Sequence, residues 1–139
     1  MSRQFTFNLE GRTALVTGAS SGIGRRFAGL LARSGARVIV AARRAALLED
    51  LCEEIRTSGG EAYAVTMDVA DEASTIAAYD VAETVFGPID TVVANAGISP
   101  AGSALGLSVE DFDLTMDVNL RGTFLTAREG ARRMIAHGS

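Results

Sequence analysis

Apolar and polar residues follow one another along this chain in two rhythms. Four short runs, Thr13–Thr17, Arg37–Ala42, Ala62–Met67 and Thr91–Asn95, are rich in β-branched and small apolar residues and have the length of strands. The segments between them carry a helical period. Ile23, Phe27, Leu30 and Leu31 stand at i, i+4, i+7 and i+8, one stripe of an amphipathic helix, the face such a helix packs inward. Leu48, Leu51, Cys52 and Ile55 repeat the pattern at i, i+3, i+4 and i+7. Gly35 and the pair Gly59–Gly60 end these two helices, where a left-handed residue is favoured. Asp71 is placed to N-cap a third helix that runs to Gly87–Pro88, where proline cannot continue it. A longer helical segment follows Ser108, its expected cap, with Asp111 three residues on as a weak variant of a capping box.

The order is β-α-β-α-β-α-β-α. Strands separated by helices pair in parallel through right-handed crossovers, so the expected fold is α/β, an open parallel sheet with helices on both faces. A chain of 139 residues without a linker or repeat makes one domain, residues 1–139. Thr91 to Ala94 reads as a strand buried on both faces, yet only one helix follows it. A bare apolar edge invites pairing, so a continuation, a partner chain or a second copy is expected to cover it.

Composition narrows the function. Apolar residues make up 47% of the chain and charged residues 22%, the balance of a globular protein. The longest apolar run, Val38 to Ala42, is far shorter than the roughly 20 residues of a membrane-spanning helix. Met1 to Gly11 contains no apolar leader region. A single cysteine, Cys52, favours a reducing, cytoplasmic setting. The net charge of −4 argues against nucleic acid as the main partner. All 13 basic residues are arginine, so this chain alone can perform no step that needs a lysine. No metal site is expected.

The chemistry gathers at the first strand–helix corner, Thr17-Gly18-Ala19-Ser20-Ser21-Gly22-Ile23-Gly24. Gly18 permits the sharp turn, Gly22 lets backbone approach a phosphate, and Gly24 allows close helix-on-strand packing. The helix start then offers free N–H groups and a positive dipole end to a pyrophosphate. At the end of the second strand an acidic residue would hold the ribose of NAD. Ala42 cannot, whereas Arg43 presents a fork of donors to a 2′-phosphate. NADP(H) is therefore expected over NAD(H); the alternative reading of Arg43 and Arg44 is a solvated helix start.

The TGxxxGxG spacing of Thr17–Gly24 resembles the short-chain dehydrogenase/reductase family, a Rossmann-type doubly wound fold, and not its extended relatives with TGxxGxxG. Later segments agree in order: Asp68-Val69 looks like the adenine-contacting pair, Asn95-Ala96-Gly97 like the NAG motif, and Val118-Asn119-Leu120-Arg121-Gly122 like VNxxG. The resemblance covers about Gly11 to Met134. It implies hydride transfer between NADP(H) and a carbonyl or secondary alcohol, as in a 3-oxoacyl reductase. It also implies that the Asn119 carbonyl holds a water in a proton relay. By their residue types alone, Asp68 reads as a turn residue, and Asn119 as exposed, hydrogen-bonded or functional.

The family's chemistry also uses a Ser and a Tyr and Lys spaced YxxxK after the Asn. The two tyrosines here, Tyr63 and Tyr79, are followed four residues on by Met67 and Glu83. The tail Ala136 to Ser139 resembles the loop before the family's fifth strand, so the sequence reads as ending midway through that fold and as inactive alone. A second reading is a non-catalytic NADP(H)-binding module or subunit. A methyltransferase reading of the sheet leaves the NAG and VNxxG segments as coincidences. His137 is expected to be a solvated cation at a helix end, Cys52 core, and Arg132–Arg133 a solvated face on a helix that in this family often builds oligomer interfaces. A homo-oligomer is expected, and the identity of the substrate is not legible.

Overall fold

The computed structural model describes residues 7–138; Met1–Thr6, part of the segment read as free of a leader, and the final Ser139 lie outside them. Strands β1 (Thr13–Thr17), β2 (Arg37–Ala42), β3 (Glu61–Thr66) and β4 (Thr91–Val93) form one parallel sheet in the order β3-β2-β1-β4. Helices α1 (Gly22–Arg33), α2 (Ala45–Thr57) and α3 (Glu72–Phe86) alternate with them. After β4 come α4 (Val109–Met116), a π-helical turn (Asp117–Gly122) and α5 (Thr123–Ala136). β1 and β2 match the pattern-based expectation. β3 begins one residue early, because Glu61 pairs with Arg37. β4 stops at Val93 because the Asn95 N–H turns back to the Val93 carbonyl at 2.9 Å.

The sheet is covered on both faces, as successive strand residues require. Val16, Val38 and Val40 pack against Ala28 and Ala32 of α1 and the Leu48–Leu51–Cys52–Ile55 stripe of α2. Leu15, Ile39, Ala41 and Val65 point the other way, towards Ala78, Tyr79 and Ala82 of α3 and Val118. The cap expectations hold. The Asp71 carboxylate accepts from Ala73 N at 2.8 Å and Ser74 N at 3.2 Å, and Ser108 Oγ accepts from Asp111 N at 3.1 Å. Gly35 and Gly59 take φ of 97° and 88°, the left-handed region that lets each chain leave its helix.

One face is reversed. Ile23 and Phe27 are 70% and 45% exposed, and Leu30 is exposed beside them; α1 packs inward through Gly24, Ala28 and Ala32 instead. The helix lies too close to the sheet for large side chains: a Cβ on Gly24 would stand 2.4 Å from the Gly18 carbonyl oxygen. β4 is the sheet edge among the described residues and its side chains are half-buried, so the expected two-sided burial is not reached.

The π turn breaks what the pattern reads as one long helix. It buries Val118 and Gly122 against the sheet side, where a Cβ on Gly122 would meet Val69 Cγ2 at 2.7 Å. Further along, Tyr79 donates its hydroxyl proton to the Thr126 carbonyl at 2.8 Å, joining α3 to α5. Arg133 is a second departure from expectation. Its side chain is only 17% exposed and bonds the carboxylates of Asp80, Glu83 and Glu129, whereas Arg132 stays solvated. Burial pulls the Arg133 pKa down, but these three hydrogen-bonding carboxylates outweigh it and raise it above the ordinary arginine value. His137 caps the C-terminus of α5 with its ring 3.2 Å from Glu83.

Candidate active site: a cofactor crevice

The carboxyl ends of β1, β2 and β4 and the starts of α1 and α2 enclose a crevice of about 390 Å³. It is built from the loops that leave the strands, the place where an open α/β sheet accepts a ligand. Every proposed cofactor-contacting residue except Gly24 lines it: Gly18, Ser20, Ser21, Gly22 and Ile23 on one wall, Arg43 on a second, Asp68 and Val69 on a third, Asn95, Ala96 and Gly97 on the last. Gly24 lies just behind, as a packing residue.

Asn95 holds two of these walls together. Its backbone N–H and that of Ala96 donate to Thr17 Oγ1 at 3.0 and 3.1 Å, and its Nδ2 donates to the carbonyls of Thr17 and Gly18 at 3.1 and 3.4 Å. The glycine loop is thereby fixed to the end of β4. Gly18 takes φ of 65°, and a Cβ there would sit 2.8 Å from Ala96 Cα. Both demands exclude other residues.

The loop presents donors without partners of its own. Ser21, at the N-cap of α1, makes no side-chain cap bond and no acidic residue lies in the first turn, so the helix start directs uncapped N–H groups and its positive end into the crevice. A Cβ on Gly22 would meet nothing within 4 Å, which leaves backbone open to a close ligand. On the neighbouring wall Arg43 and Arg44 stand exposed, and Arg44 Nη2 reaches Ser20 Oγ at 3.4 Å. Asp68 Oδ1 accepts from Ala70 N at 3.0 Å while its own N–H donates to Ser74 Oγ at 2.9 Å, so it turns the chain as well as lining the crevice.

Asn119 sits in the π turn and exchanges two hydrogen bonds with the backbone of Ile98, each 2.8 Å. Its carbonyl accepts from Thr123 Oγ1 at 2.8 Å. In sequence Thr17 has a place in the glycine motif, Arg44 a place in the Arg pair and Ile98 a place at the start of a candidate pocket wall (Ile98–Gly106), but the contacts they make here are not legible there. Arg44 had a signal, as the second member of the Arg pair, whereas the roles of Thr17 and Ile98 depend on contacts spanning 78 and 21 residues. Neither tyrosine lines the crevice: Tyr63 is on β3, and Tyr79 is buried between α3 and α5. Among the described residues no three His, Cys, Asp or Glu side chains gather to hold a metal, and no helix is long and apolar enough to cross a membrane.

A glycine loop tied to the neighbouring strand and opening an uncapped helix has the form that α/β proteins use to cradle a dinucleotide. The sequence profile of the short chain dehydrogenases matches residues 12–139, and the chain belongs to that family. It is 40% identical over 138 residues to the D-threitol dehydrogenase of Mycolicibacterium smegmatis, covering 99% of this chain and 53% of that protein. It is 38% identical to the versicolorin reductase of Emericella nidulans, covering 96% and 51% respectively. A crystal structure of a short-chain type dehydrogenase/reductase from Mycobacterium marinum superposes with a TM-score of 0.92 at 39% identity, covering 99% of this chain and 56% of that one. The chain spans about half the length of the relatives it matches.

Proposed function

We propose that the chain supplies the NADP(H)-binding half of an oxidoreductase that moves hydride between the nicotinamide and a carbonyl or secondary alcohol carbon of a small molecule. The observation that carries the cofactor choice is the end of β2: Ala42 offers no carboxylate for a ribose diol, while Arg43 and Arg44 bring two guanidinium groups to the crevice, one of them drawn to Ser20. A 2′-phosphate placed there meets charge-assisted donors, whereas the diol of NAD(H) meets none of the acidic partners it needs.

The cradle fits the dinucleotide at each end. Uncapped N–H groups at Ser21–Ile23 suit a pyrophosphate, the Asp68–Val69 wall an adenine, and the Asn95–Gly97 wall, beside the Ile98 that Asn119 holds, the nicotinamide end. When bound, the cofactor supplies the hydride or takes it up. This chain's own part is to orient it. Asn95 keeps the loop against β4, and Asn119 fixes Ile98, its backbone carbonyl being the group on which a relay water would sit in this family.

The general acid and base, a tyrosine with a lysine in this family, are carried by no residue at the crevice. We therefore place the activity in a longer protein and take the 139-residue chain alone to be inactive. A cytoplasmic location and a homo-oligomeric state belong to the same reading. The substrate class stays broad: the relatives include a polyol dehydrogenase and reductases by name. A second reading, a module that binds NADP(H) without catalysis, draws on the burial of Tyr79 and the lack of lysine.

Fluorescence titration with NADPH and NADH tests the cofactor choice. At least tenfold tighter binding of NADPH is expected, reduced to near equality in Arg43→Ala/Arg44→Ala. Equal affinities in the unmodified protein would sink it. Carbonyl reduction by the full-length protein, absent from the 139-residue chain, separates the enzyme from the module.

A further inference from the structure

A groove of about 840 Å³ lies between α1 and α2, larger than the crevice at about 390 Å³. Its size is within the range of small-molecule sites. We propose that this groove is a second ligand site, one that takes a small elongated polyanion of the polyphosphate type.

Glycine makes the space. Gly29 faces the groove in mid-helix, and the only neighbour a Cβ there would meet within 4 Å is Arg33 Nη1, at 3.3 Å. The Arg33 guanidinium is therefore folded back along α1 over Gly29, the direction helical side chains favour, rather than extended into solvent. Arg26 lines the same groove seven residues earlier, two turns away and about 10 Å along the axis. Neither Arg26 nor Arg33 has an acidic partner among the described residues.

A third arginine, Arg25, plays a different part. It spans the groove to the Glu54 carboxylate and to the Leu47 carbonyl at 3.4 Å, which ties α1 to α2 and cancels the one acidic group of the lining. Two guanidinium groups then remain over a floor that includes the buried Leu51 and Ile55. Beyond Glu54 the surface turns acidic at Asp50 and Glu53, which confines an anion to the α1 wall between Arg26 and Arg33. An anion with several negative groups meets both guanidinium groups at once, and each pairing is charge-assisted. Gly22 lines both hollows, so the test has to separate them.

Isothermal titration calorimetry with inorganic tripolyphosphate at low salt provides that test, with Arg26→Gln/Arg33→Gln and Arg43→Gln run alongside. Gln matches Arg in helix propensity, and an unchanged far-UV circular dichroism spectrum confirms the fold of each variant. Saturable one-to-one binding is expected, weakened at least tenfold in Arg26→Gln/Arg33→Gln and by less than twofold in Arg43→Gln. Absence of saturable binding, equal binding by the Arg26/Arg33 variant, or loss confined to Arg43→Gln would each overturn the proposal. The last outcome would assign the anion to the crevice. Because tripolyphosphate carries no nicotinamide, failure here leaves the NADPH titration untouched.

Discussion

The side chain of Asn119 and the backbone of Ile98 are paired face to face: the Ile98 N–H donates to Oδ1 and Nδ2 donates to the Ile98 carbonyl, both at 2.8 Å. A carboxamide is the one short side chain that can satisfy a backbone donor and acceptor together. Asn119→Asp keeps the acceptor but sets a carboxylate against a carbonyl oxygen; Asn119→Ala removes both partners. Each is expected to destabilise the protein by about 1–3 kcal/mol and to speed amide exchange at Ile98 at least tenfold. Hydrogen-exchange mass spectrometry of the 95–107 segment checks this. Unchanged protection would show that the pairing does not hold the loop.

Two glycines of the same helix should respond in opposite ways to alanine. At Gly24 a Cβ would stand 2.4 Å from both the Gly18 oxygen and Asn95 Nδ2, one of them backbone, so Gly24→Ala is expected to cost about 1–3 kcal/mol and to weaken cofactor binding. At Gly29 the neighbour is the far end of Arg33, which can swing aside, so Gly29→Ala is expected to stabilise by about 0.5–1 kcal/mol. Urea unfolding of the two variants reads the contrast.

Alkali should loosen the fold in a defined window. Burial pushes the Cys52 thiol from 9.0 up to about 11, with Glu49 adding to the rise and Arg56 opposing it. Burial also raises the Tyr79 phenol, with Glu129 reinforcing the shift. Both groups hold their protons more tightly when folded. Their contribution is complete below pH 9 and is lost as the pH climbs through the folded values, because the unfolded chain releases protons first. Stability should therefore fall from about pH 9 to 11. Cys52→Ala is expected to flatten the early part of that decline, and a slope identical to that of the unmodified protein would contradict the assignment.

Arg133 holds three carboxylates. Removing it leaves Asp80, Glu83 and Glu129 facing one another without their shared cation. Arg133→Met is expected to cost about 2–4 kcal/mol. Thermal unfolding measures it; an unchanged midpoint would show that the fold does not depend on this cation.

What was legible in the chain follows from the range of the forces involved. Strand runs, the α2 stripe and the Asp71 and Ser108 caps are set by neighbours in sequence, and all were readable there. The α1 face was not. Ile23, Phe27 and Leu30 have the spacing of a core stripe, yet the separation of helix and sheet is decided by Gly18, Gly24 and Asn95, which meet only after folding. Arg133 was misread for the same reason, since its carboxylate partners Asp80 and Glu83 lie about fifty residues away on another helix. At the crevice, the glycine loop, Arg43 and the Asn95–Gly97 segment were evident from residue type and position. Thr17 and Arg44 act through reach, which pattern does not encode.

The π turn at Asp117–Gly122 carries one residue more per turn than the α-helix on either side of it. In a helix that surplus is also an angle. Deleting one residue from the turn would rotate everything after it by about 100°. Gly130 would swing away from the Tyr79 hydroxyl, Thr126 would lose the bond it accepts, and Arg133 would leave its three carboxylates. A single residue of chain length at this point therefore does two jobs: it sets Asn119 against the backbone of Ile98, and it sets the rotational phase of α5 against α3.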